Sequence, residues 1–556
     1  MVIDYKHVTF SFKDQKRKRR LRNLKIALFV ILVVSLIFLI HYIQKGKKIY
    51  YIQELLLKGN QTEALEQYKN LSKSPPYADS IQELEALILL IDGDAKSAKP
   101  LLKKLGRAKT SLYWERFLNH FIEQAKYEEL KIYADYLLGK NQPAQFYKAL
   151  ALAATFKYRE AEELLSRIPP AQAERFSQAI DLLSNLNSRM KNGKVDFVFD
   201  RNGKPLAYFD LKSRKTVSLT PGMTFEQFGT LFERGIKTFT LSLDLSIQQK
   251  VSQIFRKHHG SMIVINTMDS GIAAAFSKPR NRMKTNTVFT AEYEPGSIIK
   301  ILTLFAFFQN PDPGLFPMKC LHSIRLSNRD FPDRAAHGTI ENPQFALVIS
   351  CNIAFARMGL NVGFKPLSKV LKSFYFNSGG FKDQFIEFKT GNFNPGISND
   401  FQLANLAVGL NEITVTTFHS AFMAMAVAAN GSLNRPYLIN NIKNILNLGY
   451  YNHSPELLHV FRNSPNYLKI SQAMVDVVEN RHGTGWHSRL QSLKAAIKTG
   501  TAGDKKSGLN AIIIGFFPAE KPEFAFAFIL EGAGTAMFKG ANLLKDFLRL
   551  MQDQFR

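Results

Sequence analysis

An almost unbroken run of Ile, Ala, Leu, Phe and Val fills residues 26–43. At ~1.5 Å per residue, a helix of that length crosses roughly the ~30 Å hydrocarbon layer of a bilayer. The run predicts one transmembrane helix, and no second run of this length follows. From residue 50 to 187 the apolar positions take a helical period, and the pattern repeats. Leu57-Lys-Gly59-Asn-Gln-Thr-Glu-Ala64 is echoed by Ile91-Asp-Gly93-Asp-Ala-Lys-Ser-Ala98. Ala64, Ala98, Leu130 and Ala161 recur at intervals of 34, 32 and 31 residues. Units of that length predict stacked helical hairpins, with Pro76 as a stop at the end of one unit.

Past residue 194 the period switches to two. Val195-Asp-Phe-Val-Phe199, a turn at Asp200-Arg-Asn-Gly203, and Pro205-Leu-Ala-Tyr-Phe209 predict a hairpin with Asn-Gly at its tip. Residues 195–237 thus read as a small β-hairpin and linker module. Residues 238–556 read as one mixed α+β domain. In it, Asp244 is placed to cap a helix, and five apolar strands are expected: Ser261-Met-Ile-Val-Ile-Asn266, Gly271-Ile-Ala-Ala-Ala-Phe-Ser277, Ala495-Ala-Ile-Lys498-Thr499, Ala511-Ile-Ile-Ile-Gly-Phe-Phe517 and Phe524-Ala-Phe-Ala-Phe-Ile-Leu530. The expected fold class is multidomain: a single N-terminal transmembrane helix, an α-helical repeat region, then an α+β domain with a five-stranded sheet and helices on its faces.

Charge refines this picture. Lys16, Arg17, Lys18, Arg19, Arg20, Arg22 and Lys25 precede the apolar run, and only Lys45, Lys47 and Lys48 follow closely. The excess predicts residues 1–25 as a basic cytoplasmic tail, 26–43 as a signal anchor in the cytoplasmic membrane, and the remainder outside. A cleaved signal peptide is the competing reading, but Tyr42, Ile43, Gln44 and Lys45 are too bulky for a cleavage site. The formal net charge of the 556-residue chain is +27. No zinc-finger spacing, phosphate loop or RNA-binding aromatic signature accompanies it, so the expectation is a basic protein working near an anionic surface such as a membrane, and not on nucleic acid. Cys320 and Cys351 suit either a disulfide or two buried thiols, and neither has metal-ligand spacing. No metal and no cofactor are expected.

Three motifs stand in order along the second half: Ser297-Ile-Ile-Lys300, Ser350-Cys-Asn352 and Lys498-Thr-Gly-Thr501. The first sets a hydroxyl and an amine one helical turn apart, on a helix that is apolar nearly all round. Serine is a poor nucleophile without a base, and a buried amine near other cations loses affinity for its proton. Gly296 permits a sharp turn, which puts Ser297 at a helix start where free N–H groups favour negative charge. Ser350 is the candidate proton relay and Asn352 the group that orients Lys300, although both residue types also cap helices. Lys498, in an otherwise apolar strand, is the candidate fixed cation. Together with Lys498, Thr499 and Thr501 would bind a carboxylate, Gly500 would let substrate approach, and the Thr501 N–H with that of Ser297 would form an oxyanion hole. His337 and His419 read as structural, Trp486 as core or cleft lining, and Lys505-Lys506 as a solvated loop.

At these residues the chain resembles the transpeptidase domain of penicillin-binding proteins over about residues 238–529. Glu294-Pro-Gly-Ser297, His337-Gly338, Gly483-Thr484-Gly485 and Gly515-Phe-Phe-Pro518 extend the likeness. Asp200-Arg-Asn-Gly203-Lys-Pro-Leu-Ala207 resembles a motif of the monofunctional members. The resemblance implies an antiparallel five-stranded sheet, covalent β-lactam binding, and D,D-transpeptidation of peptidoglycan stem peptides ending in D-Ala-D-Ala. Ser297, Lys300, Ser350, Asn352 and Lys498 would be catalytic, with Thr499, Gly500 and Thr501 binding substrate. Ile299, Ile497 and the segment Gly409-Leu-Asn-Glu-Ile-Thr-Val-Thr-Thr417 depart from common family patterns. A D-alanyl-D-alanine carboxypeptidase, a penicillin-binding scaffold and a β-lactam sensor are the other readings, and a sensor lacks room for a signalling domain in the short tail. The helical stretch resembles tetratricopeptide repeats, whose concave faces dock partner segments, here other cell-wall synthesis proteins.

Overall fold

The computed structural model describes residues 5–71, 78–105, 114–124, 126–137, 143–155, 157–167, 193–235, 237–281, 285–444, 449–461, 464–504 and 508–552. Pro76, residues 168–187 of the repeat region and Lys505-Lys506 lie outside them. The chain divides into two compact units, one holding residues 1–188 and the other nearly all that follows.

In the first unit, α1 (Tyr5–Leu57) is one uninterrupted helix. Its stretch from Leu28 to Ile43 is exposed apolar surface, with Phe38 at 72 %. It is the one helix among the described residues long and apolar enough to cross a membrane. The same helix then buries Ile49, Ile52, Leu55 and Leu56 against α2 (Gln61–Lys69), α3 (Ala78–Asp92) and a helix at Trp114–Glu123. Further helices at Ala95–Lys104, Tyr127–Leu137, Pro143–Ala154 and Tyr158–Leu165 pack mainly on their neighbours in sequence.

The residues spaced along the helical unit begin their helices alike in backbone hydrogen bonds. Gly59 and Gly93 both adopt positive φ, at 82° and 85°, where a side chain would be strained. The N–H groups of Ala64, Ala98, Leu130 and Ala161 donate to Asn60, Asp94, Lys126 and Lys157, each four residues back. The four residues therefore occupy the same place in successive turns-into-helix, and all four are buried.

The second unit holds two large sheets, so a single five-stranded sheet describes only part of it. The hairpin is formed by β1 (Lys194–Phe199) and β2 (Pro205–Asp210). It continues into β3 (Lys215–Ser218). On its other side β1 pairs in parallel with β4 (Lys237–Leu241). Two strands from far along the chain, Ile439–Asn444 and Gly449–Asn452, complete six. The segment read as a hairpin and linker thus joins a sheet whose outer strands lie some 200 residues away, a pairing that local patterning does not signal.

The other sheet is antiparallel throughout, from β5 (Gly260–Asn266) and β6 (Ile272–Lys278) to three strands near the end of the chain. Those strands are β7 (Ala496–Asp504), β8 (Gly508–Phe517) and β9 (Phe524–Leu530), in the order β7-β8-β9-β5-β6. Strand β9 shows why both faces are buried. Phe524, Phe526 and Phe528 share a core with Leu543, Leu544 and Phe547 of the helix Ala541–Met551 and with Ile247 and Val251 of the helix Leu245–Phe255. The latter helix starts at Asp244, whose carboxylate accepts the N–H of Ser246 and Ile247. The alternate residues Ala525 and Ala527 point to the other face. Their small side chains let the helix Thr417–Ala428, buried from Thr417 to Val427, lie close across β9, β8 and β5. Strand β7 is an edge, so part of its backbone is left free to face a cleft.

Candidate active site

The first motif sits on a sharp turn that the sequence can make only with glycine. Gly296 has φ 55°, and a Cβ there would lie 2.7 Å from Thr501 O. Its N–H donates to Gly409 O at 2.8 Å, so the segment departing from the family pattern props the turn. A 3-10 turn at Gly296–Ile299 feeds the helix Lys300–Gln309, which is buried from Lys300 to Phe307. Gly500 is also a point of close approach within the protein itself. The space a Cβ would fill is already taken by Pro295 O at 2.6 Å and Ile298 Cγ2 at 3.0 Å. The glycine admits the backbone of the first motif, and with it brings Ser297 to the strand.

The second motif lies between two helices, Pro343–Ile349 and Asn352–Val362. Ser350 takes a left-handed conformation, φ 60°, which costs energy for a non-glycine residue and is seen most at functional positions. Neither Ser350 nor Asn352 caps the second helix. The Cys351 thiol accepts from Ala354 N–H, and Asp333 Oδ2 accepts from the N–H groups of Asn352 (2.7 Å) and Ile353 (3.3 Å). Both candidate side chains are thereby released to other partners.

Those partners are the two lysines. Lys300 Nζ donates to Asn352 Oδ1 and Ser350 O, each at 2.7 Å, and lies 3.4 Å from Ser350 Oγ. Lys498 Nζ donates to Ser350 Oγ at 3.0 Å and to Thr499 O at 2.7 Å. Ser350 Oγ thus stands between two fully buried amines. Burial drives the Lys300 pKa down to about 8, with Arg334 adding to the effect against the opposing pull of Asp333. Burial, then the charges of Lys300 and Arg334, drives Lys498 well below the ordinary lysine value. The Ser297 hydroxyl, half-buried, makes no hydrogen bond among the described residues; catalytic contacts are often loose before substrate binds. The structure therefore joins Lys300, Ser350, Asn352 and Lys498 in one network and leaves Ser297 facing the same cleft unpartnered.

The cleft measures about 330 Å³ and is lined by Ser297, Ser350, Asn352, Thr499 and Thr501 from the motifs. Thr484 joins them, its hydroxyl 2.6 Å from that of Thr499. Asp333, Arg334 and His337 are lining residues that the motifs do not contain. They follow a small hairpin at Ser323–Leu326 and Arg329–Pro332, nested inside the pair Met318–Cys320 and Gly338–Ile340. His419 is structural: its ring bridges Gly391 N–H and Phe374 O, and burial lowers its pKa to about 4.

At the edge of the cleft, Cys320, Asp333, His337 and Cys351 bring one donor atom each to within 4.8 Å of one another. Both cysteines are free and buried. The expectation of no metal rested on spacing in the chain, and folding removes that ground, because the four residues come from separate segments. Two thiols, an imidazole and a carboxylate are a donor set suited to a structural zinc ion with no open position. An ion there would tie the Asp333 loop to the start of the helix carrying Asn352. Burial and the Asp333 charge push the Cys351 thiol up when no cation is present. Hydrogen bonding to Asp333 raises His337.

Residues 260–549 match the family described as the penicillin binding protein transpeptidase domain. Similar curated proteins include the peptidoglycan D,D-transpeptidase PbpA of Mycolicibacterium smegmatis, 26% identical over 45% of this chain and 52% of its own. The peptidoglycan D,D-transpeptidase MrdA of Acinetobacter baumannii is 24% identical over 52% of this chain and 50% of its own. The chain spans about half the length of the curated relatives it matches. Among solved structures, the D,D-transpeptidase domain of a peptidoglycan glycosyltransferase from Eggerthella lenta superposes with TM-score 0.57 at 19% identity, covering 65% of this chain and 99% of that one. Penicillin-binding protein A from M. tuberculosis, as its penicillin G acyl-enzyme, gives 0.55 at 18%, covering 65% and 99%. With the fold, the motif order and a family match running across the whole cleft, the chain belongs to the penicillin-binding protein transpeptidase family.

Proposed function

We propose that this protein is a peptidoglycan D,D-transpeptidase anchored in the cytoplasmic membrane with its catalytic unit outside. Ser297 Oγ attacks the carbonyl carbon of the penultimate D-Ala of a stem peptide, and the C–N bond to the terminal D-Ala breaks. Neutral Lys300 takes the hydroxyl proton. Ser350, between the two lysines, passes a proton to the leaving amine, so the released D-Ala departs neutralised at nitrogen. An acceptor amine then attacks the ester and regenerates the Ser297 hydroxyl. Asn352 holds Lys300 in place, Thr499 and Thr501 bind the donor carboxylate, and the N–H groups of Ser297 and Thr501 receive the oxyanion. β-Lactams acylate the same serine.

The observation that carries this reading is the Lys300–Ser350–Lys498 relay, built from three motifs and buried beside a cleft lined by Ser297. The helical unit is proposed to be tetratricopeptide-like and to dock other cell-wall synthesis proteins; its four equivalent buried positions support that. Fluorescent penicillin labelling, followed by mass mapping of the modified peptide, tests the reading. The label is expected on Ser297 and absent in Ser297→Ala; labelling that survives the substitution sinks it. Product analysis with and without an acceptor amine then separates transpeptidation from D,D-carboxypeptidation, in which water takes the acyl group.

A further inference from the structure

Among the described residues, the cleft lining contains one arginine and no lysine. Lys300 and Lys498 lie behind the wall with their ammonium groups engaged on Ser350, Asn352 and Thr499. Among the described residues, the arginine or lysine that reaches the open cleft is Arg334, and it is exposed. Its base is fixed: the Arg334 N–H donates to Asp333 Oδ1 at 2.7 Å, and Asp333 is itself held by the start of the next helix. Its guanidinium is not. Among the described residues the side chain's one hydrogen-bond partner is the Met537 thioether, 3.1 Å from Nη1, and no carboxylate lies within ion-pair distance. A thioether is a weak acceptor, whereas the guanidinium fork matches a carboxylate with two parallel hydrogen bonds.

Met537 comes from the opposite wall. The N–H of its neighbour Ala536 donates to Thr501 Oγ1 at 3.1 Å. The Arg334–Met537 contact therefore crosses the cleft and ends next to the strand proposed to grip the donor. The threonine hydroxyls of that strand carry no charge, and Thr499 is already paired with Thr484. A carboxylate seated there would find its accessible countercharge in Arg334.

We propose that Arg334 is a further carboxylate-recognition residue of the donor site, acting beside Thr499 and Thr501: when substrate arrives, its guanidinium leaves Met537 and pairs with the C-terminal carboxylate of the peptide, or with the ring carboxylate of a β-lactam. This rests on the transpeptidase reading and adds to it the group that makes the site demand a free acid. Donors that are amidated or esterified at that position are rejected because the guanidinium keeps its thioether and gains no anion.

The test uses the full chain in detergent. Second-order acylation rates are measured for benzylpenicillin and for its carboxyl methyl ester, by competition against a fluorescent penicillin, in the native protein and in Arg334→Ala, Arg334→Gln and Arg334→Lys. The native protein is expected to prefer the acid about tenfold to a hundredfold, the worth of a charge-assisted contact. Arg334→Ala and Arg334→Gln should lose most of that preference by slowing the acid more than the ester, since loss of the Arg334 charge also acts on Lys300 with both compounds, and Arg334→Lys should restore part of it. Retention of the full acid preference in Arg334→Ala overturns the assignment. Equal slowing with both compounds overturns it too, since that marks general damage to the cleft. A native protein acylated by neither compound fails the transpeptidase reading itself and takes this inference with it.

Discussion

The two units are built by opposite rules. In the helical unit each repeated feature closes within a few residues: Ala98 bonds to Asp94, and Gly93 turns the chain just before. In the catalytic unit the relay joins residues 50 and 148 positions apart, with Ser350 Oγ meeting Lys300 and Lys498. Repeats stabilise one another through nearest neighbours, so damage stays local. A site closed over long sequence distances depends on every segment that delivers a group to it. The two units should therefore answer differently to single substitutions.

The largest effect is expected at the nucleophile: Ser297→Ala should cut penicillin acylation by roughly 10⁴-fold or more, read by fluorescent labelling, while melting is nearly unchanged. Next is Lys300→Ala, at about 10²- to 10⁴-fold, the usual worth of a general base. The native rate should also rise with pH through about 8 and then level off, because only the deprotonated Lys300 amine accepts the serine proton. A rate that falls across that window would assign the base elsewhere. Third is Gly500→Ala, which drives a methyl into Pro295 O. It should destabilise the catalytic unit by about 1–3 kcal/mol, measured by denaturant unfolding, and slow labelling as the first motif is pushed from the strand. Ala98→Leu should cost the helical unit about 1–3 kcal/mol by the same overpacking yet leave labelling unchanged. Slowed labelling in that variant would break the contrast between the units. Smallest is Asp94→Ala, which frees the Ser97 N–H and should lower the helical melting midpoint only slightly.

What could be read from the chain follows the same division. The helical character around Ala64, Ala98, Leu130 and Ala161 is legible from their apolar period, because the structure that uses them is local. The three motifs of the candidate site are legible for a different reason: each is a short cluster of unusual residues, and their order suggests the constellation without its distances. The loop bearing Asp333 and Arg334 gave no such signal. Its strands are three or four residues long, too short for a period to show. Cys320, Asp333, His337 and Cys351 were invisible as a group because two nested hairpins and a helix cap bring them together. Gly500 was recognised as a point of close approach, but which chain approaches is a tertiary fact. The distant strands at 439–452 had likewise no local cue to their place beside β4.

The unbroken α1 has a mechanical consequence. Where its apolar stretch crosses a bilayer, no hinge separates lipid from the bundle, since Ile49, Ile52, Leu55 and Leu56 clamp the same rod into the helical unit. A rotation of the rod by one residue's worth, about 100°, swings the whole bundle by that angle. Any neighbour gripping the buried segment within the lipid would thereby steer which side of the bundle faces outward like a compass needle.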